Sequence, residues 1–165
     1  MSGRDVLSKF KQELTTYSPE QLRHIPEAGV WSIGQMYDHL IVVAHEYLDK
    51  VSVCSEAKEQ GCLEKTPSGK ELFNNKGFPP IEIRLPDEMN APPNNSDSQE
   101  ELFNRMEKLI QRIEYWEAQV DTIHPERKEK HGGFGWLNAR EWLDLVEMHS
   151  RHHLRQKEKL ERYLK

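Results

Sequence analysis

Long apolar runs are missing from this chain. No stretch approaches the roughly 18 consecutive apolar residues of a membrane-spanning helix, and the opening MSGRDVLSKF has neither the apolar run nor the cleavage site of a secretory signal. The cytoplasm is therefore the expected compartment. Cysteine is scarce as well. The two present, Cys54 and Cys62, lie in a polar segment, and without a secretory signal they are expected to stay reduced and to take no part in a disulfide or metal site. Positive charge is not in excess either: the formal net charge is −5, and no Lys/Arg stripe is interleaved with aromatics, which excludes nucleic acid as the expected partner. Hydrophobic residues make up only 36% of the 165, so the core has to be assembled from amphipathic stripes, and the length suits one domain over residues 1–165.

Such stripes are present. Val6, Leu7, Phe10, Leu14 and Tyr17 recur at spacings of three and four, predicting a helix from Asp5 to Tyr17. Ser18-Pro-Glu-Gln21 reads as an N-cap with Pro in the first turn and predicts a short helical turn that Pro26 and Gly29 end. Ser32 and Gln35 form a capping box that opens a second long helix, with Ile33, Tyr37, Leu40, Ala44, Tyr47 and Leu48 on one side. Ser98 and Glu101 repeat the motif before a third, striped by Leu102, Met106, Leu109, Ile113, Trp116 and Val120, and Asn138 with Glu141 opens a last one from about Ala139 to Tyr163. The interval from about Ser52 to Asp97 holds most of the prolines and is expected to be mostly irregular, with one short extended piece over Ile81–Leu85. A connection of that length allows the two helices it joins to run parallel. The predicted fold class is all-α, a four-helix bundle with a long crossover between the second and third helices.

The inner stripe of the last helix reads Trp142, Val146, His149, His153, Gln156, Leu160, so two histidines stand where Leu or Val would pack. Residues four apart lie one above the other about 6 Å along the axis, close enough for both imidazoles to reach one ion at bond lengths of about 2.0–2.1 Å. His152 is turned away from this stripe. His39 lies beside the apolar stripe of the second helix, next in projection to Met36 and Val43, and becomes a third donor if that side faces the last helix. Three nitrogen ligands with an open position are the pattern of a catalytic metal site, whereas a structural site takes a fourth protein ligand. Spacing alone leaves a second reading open, in which these are ordinary core or surface histidines. Asp38, Glu46 and Glu147 read as solvated helix-face charges, and Trp31 and Trp136 as core residues.

The phrase VWSIGQMYDHL, from Val30 to Leu40, resembles the segment of DinB/YfiT-like proteins in which a tryptophan and a small polar cap precede the first metal-ligating histidine. FGWLNAREWLDLVEMHSRHHLRQ, from Phe134 to Gln156, resembles the segment carrying the second and third ligands followed by a glutamine. The similarity extends to the proline-rich crossover with Arg84-Leu-Pro86 and to the helix after Ser98. The resemblance implies His39, His149 and His153 as ligands, an up-down-down-up bundle, zinc or nickel as the divalent metal, and a homodimer. It also implies a metal-dependent enzyme acting on a small-molecule substrate, either a hydrolase or a thiol-cofactor-dependent (bacillithiol-type) transferase with a low-molecular-weight thiol as cosubstrate. A bundle that binds a small molecule or protein partner without turnover is the alternative. The walls of such a site are expected in the long connection and in the loop at His131-Gly-Gly-Phe134.

Overall fold

The structure, a computed structural model, describes residues 2–79 and 92–164. It is mostly helical, and the helix starts follow from the caps. Ser18, Ser32, Ser98 and Asn138 each accept from the backbone N–H three residues on, while the side chains of Gln21, Gln35, Glu101 and Glu141 reach back to the cap. Each box satisfies two N–H groups that a helix start otherwise leaves orphaned. A fifth box, Ser2 with Asp5, begins the first helix earlier than the apolar stripe indicates, and that helix stops at Leu14, short of Tyr17.

In chain order the helices are α1 (Gly3–Leu14), α2 (Pro19–Arg23), α3 (Ile33–Glu56), α4 (Pro67–Asn75), α5 (Gln99–Gln119) and α6 (Ala139–Arg162). The four long ones close a ring of contacts: α3 on α6, α6 on α1, α1 on α5, and α5 on α3. Their inner faces share one hydrophobic cluster in which Phe10, Tyr37, Leu40, Leu48, Met106, Leu109, Ile113, Leu145 and Val146 are almost wholly withdrawn from water. Among the described residues no helix is long and apolar enough to cross a membrane.

Two departures from the sequence-based expectation matter for the site. The helical class holds with one addition: Lys128–His131 (β1) and Gly135–Asn138 (β2) pair antiparallel as a hairpin leading straight into α6. At four residues each, with β1 almost entirely polar, the strands give periodicity little to detect. The interval after Ser52 is also less irregular than expected. Helix α3 continues to Glu56, burying Cys54, and α4 starts at Pro67 behind a Thr66 cap. The extended piece expected over Ile81–Leu85 lies outside the described residues.

The connection before α4 is fastened to the hairpin. Backbone bridges join Glu59 to Arg127 and Lys65 to Gly135, and the Thr66 hydroxyl donates to the Gly133 carbonyl at 2.8 Å. Gly135 has φ +80°, and a Cβ there would stand 2.6 Å from the Thr66 nitrogen, so both conformation and space require glycine. Both cysteines are free; burial pushes the Cys54 thiol up to about 12, and Cys62 is exposed.

Candidate metal centre

The contact between α3 and α6 brings the three histidines together. Nε2 of His149 lies 3.2 Å from Nε2 of His39 and 3.1 Å from Nε2 of His153. All three ligand nitrogens fall within 4.8 Å of one another, and each residue keeps partial access to solvent. Four bonds of about 2.0–2.1 Å at tetrahedral angles place neighbouring donor atoms about 3.3 Å apart, close to these separations. The donor chemistry also fits. Nε2 of His149 carries either one proton or one lone pair, so a hydrogen bond serves only one of its two facing nitrogens, whereas a single cation serves three lone pairs at once.

Burial governs the charge state. His149 is held well below the usual imidazole range, first by burial and then by the neighbouring imidazoles of His153, His39 and His152. Burial lowers His153 to about 4, with His39 adding to the effect and the Gln156 hydrogen bond opposing it. His39 is lowered by burial against the opposing charge of Asp38. The site therefore presents neutral imidazoles, the form that ligates. The reference value of about 6.5 would place proton competition just below neutrality; burial moves that window down, to about 4 for His153.

The same shifts give a pH dependence for the metal-free protein. An unfolded histidine titrates near 6.5 and folded His153 near 4. Between these values the unfolded chain binds a proton that the folded chain does not. Stability is then full above about 6.5 and declines as the pH falls towards 4. Urea midpoints of the metal-free protein are expected to drop across that interval, and His153→Ala to flatten the drop; a wild-type midpoint independent of pH there would contradict these charge states.

An aromatic wall surrounds the triad. Trp31 stands 5.0 Å from His39 between ring centroids, Tyr47 5.9 Å and Phe78 6.2 Å from His149. Phe78 also meets Phe134 of the hairpin turn at 5.9 Å, and Phe134 stacks on His131. Thus the long connection reaches the triad through Phe78, and the His131 loop packs behind Phe78. Phe78 had no sequence signal, lying in an aperiodic stretch. Trp31, read as a core residue, is half-buried against a ligand candidate, while Trp136 on β2 has no ring contact with the triad. His152 is half-buried against Phe78 and outside the cluster.

The carboxylates nearest in sequence do not join the triad. Asp38, expected to be solvated, is buried: it accepts from Arg105 at 2.8 Å and from the Asn94 backbone at 3.1 Å. That correction comes from a partner on α5 that local spacing cannot reveal. Glu147 pairs with Arg151, and Glu46 is exposed on α3. Another grouping among the described residues, Glu59, His124 and Glu126, is exposed throughout, and His124 Nδ1 already accepts from the Glu126 backbone.

A family model described as the DinB superfamily matches residues 3–156. Among curated proteins, the uncharacterized protein YuaE of Bacillus subtilis (strain 168) is 28% identical over 156 residues, covering 91% of each chain. No solved structure matches.

Proposed function

The chain belongs to the DinB superfamily, and from that membership together with the histidine triad we propose a metal-dependent enzyme in which His39, His149 and His153 hold one divalent ion, zinc or nickel. The observation that carries the reading is the convergence of three Nε2 atoms at a largely buried point that keeps some access to solvent, with no fourth protein donor among the described residues. When bound, a divalent ion supplies Lewis-acid chemistry, favouring the deprotonated form of a water or thiol beside it.

Of the two chemistries, thiol transfer fits the surroundings better than hydrolysis. A bound ion acidifies its own water, but attack by that water is still helped by a positioned general base; Asp38 and Glu147 are both tied into ion pairs and Glu46 is exposed on α3. A low-molecular-weight thiol is acidic enough to react as thiolate without one. Trp31, Tyr47 and Phe78 supply aromatic surface of the kind that sulfur contacts favourably. In the step proposed, the thiol proton passes to solvent, sulfur bonds to an electrophilic carbon of a small-molecule substrate, and the leaving group departs with its electron pair.

The reading brings with it the up-down-down-up helix order, a single domain over residues 1–165, a homodimer, and action in the cytoplasm without nucleic acid. Its test is turnover by zinc- or nickel-loaded protein given a panel of low-molecular-weight thiols with chlorodinitrobenzene, beside nitrophenyl esters without thiol. Thiol consumed in step with conjugate, and lost in His149→Ala, is the expected result. Ester cleavage without thiol would favour the hydrolase, and no turnover in either assay the non-catalytic binding bundle.

A further inference from the structure

Gln156 lies one turn beyond His153 on α6, and its Oε1 is 2.5 Å from His153 Nδ1. An amide oxygen can only accept, so the bond requires the proton on Nδ1 and leaves the Nε2 lone pair free. Nε2 is the atom that faces His149 Nε2 at 3.1 Å. Free imidazole prefers the opposite tautomer, with the proton on Nε2, so the orientation of this donor needs a cause. The other polar neighbours do not supply one: His152 meets the His153 ring only edge-on, and His39 and His149 stand on its Nε2 side.

Resting on the reading of the triad as a metal site, we infer that Gln156 is a positioning residue that locks His153 in the Nδ1–H tautomer and so presents Nε2 to the ion. Groups that hydrogen-bond the distal nitrogen of a metal-ligating histidine fix its ring and raise its basicity, and removing them costs about 10- to 100-fold in metal affinity. A glutamate here would accept the same bond with full negative charge, strengthening it. Methionine keeps the length of the side chain and cannot accept comparably.

The experiment uses metal-stripped full-length protein with zinc ion alone as the probe. Long-range proton–nitrogen correlation spectra at neutral pH read the His153 tautomer, and competitive chelator titration reads the zinc affinity. Wild type is expected to carry the proton on Nδ1. Gln156→Met should lose the single tautomer and bind zinc about 10- to 100-fold more weakly, with unchanged helical circular dichroism, and Gln156→Glu should restore both. A merely structural hydrogen bond would move neither the tautomer nor the affinity in this pattern. Wild-type His153 protonated on Nε2, or Gln156→Met binding zinc as tightly as wild type, overturns the role of Gln156 and leaves the triad intact. Wild type that takes up neither zinc nor, when substituted for it, nickel overturns the metal site itself, and this inference with it. Should Gln156→Met fail to fold, the wild-type tautomer and the Gln156→Glu affinity decide the matter.

Discussion

Replacing His149 by Ala is expected to weaken zinc binding roughly 100- to 1,000-fold while leaving the helices in place. The magnitude follows from structural zinc sites, where about 10–16 kcal/mol shared among four ligands amounts to about 2.5–4 kcal/mol for each. His149 is chosen because its Nε2 stands within 3.2 Å of Nε2 of both His39 and His153. His152→Ala is the internal control: that ring packs on Phe78 outside the cluster, and its removal is expected to leave the affinity close to wild type. Competitive titration against a chromophoric chelator, with circular dichroism on the same samples, separates loss of the site from loss of fold. A His152 variant that loses zinc while the His149 variant retains it would place the ligands on the wrong face of α6.

The second large effect concerns the scaffold. Phe10 of α1 is fully buried, meets Tyr37 of α3 edge-on at 5.8 Å, and offers its backbone carbonyl to the Tyr37 hydroxyl at 2.6 Å. Phe10→Ala removes a ring from the middle of a packed core and is expected to destabilise the protein by about 3–5 kcal/mol, through lost transfer energy plus the cavity left behind. The Tyr37 hydrogen bond goes to the backbone and survives the substitution. Because the triad sits between α3 and α6, zinc is expected to bind the folded variant nearly as well as wild type, so that saturating zinc raises both stabilities by a similar increment. Urea unfolding with and without zinc checks this, the slope staying constant while the midpoint falls. A loss under 1 kcal/mol would mean that the core around α1 collapses to fill the space.

Much of this arrangement is legible in the sequence because the signals are local. The capping boxes at Ser18, Ser32, Ser98 and Asn138 are four-residue patterns that helix geometry reads directly. His149 and His153 stand out because four-residue spacing puts both on one stripe where apolar residues belong. The placement of His39 needed tertiary packing or family resemblance, since nothing on the second helix alone says which side meets α6. What stayed hidden depends on distant partners. Asp38 is buried because Arg105, on α5, neutralises it. Phe78 joins the site because α4 and the hairpin turn are tied together through Thr66 and Gly133. The hairpin escaped because its strands are too short for alternation to rise above chance.

The most direct measurement is X-ray absorption at the zinc edge of the loaded wild-type protein. Three imidazole nitrogens at about 2.0–2.1 Å, with one further light-atom ligand, are the expected first shell, and the imidazole multiple-scattering signal should fall in the His153→Ala protein. A sulfur neighbour at about 2.3 Å, or a shell of oxygens without imidazole scattering, would contradict a centre built from His39, His149 and His153.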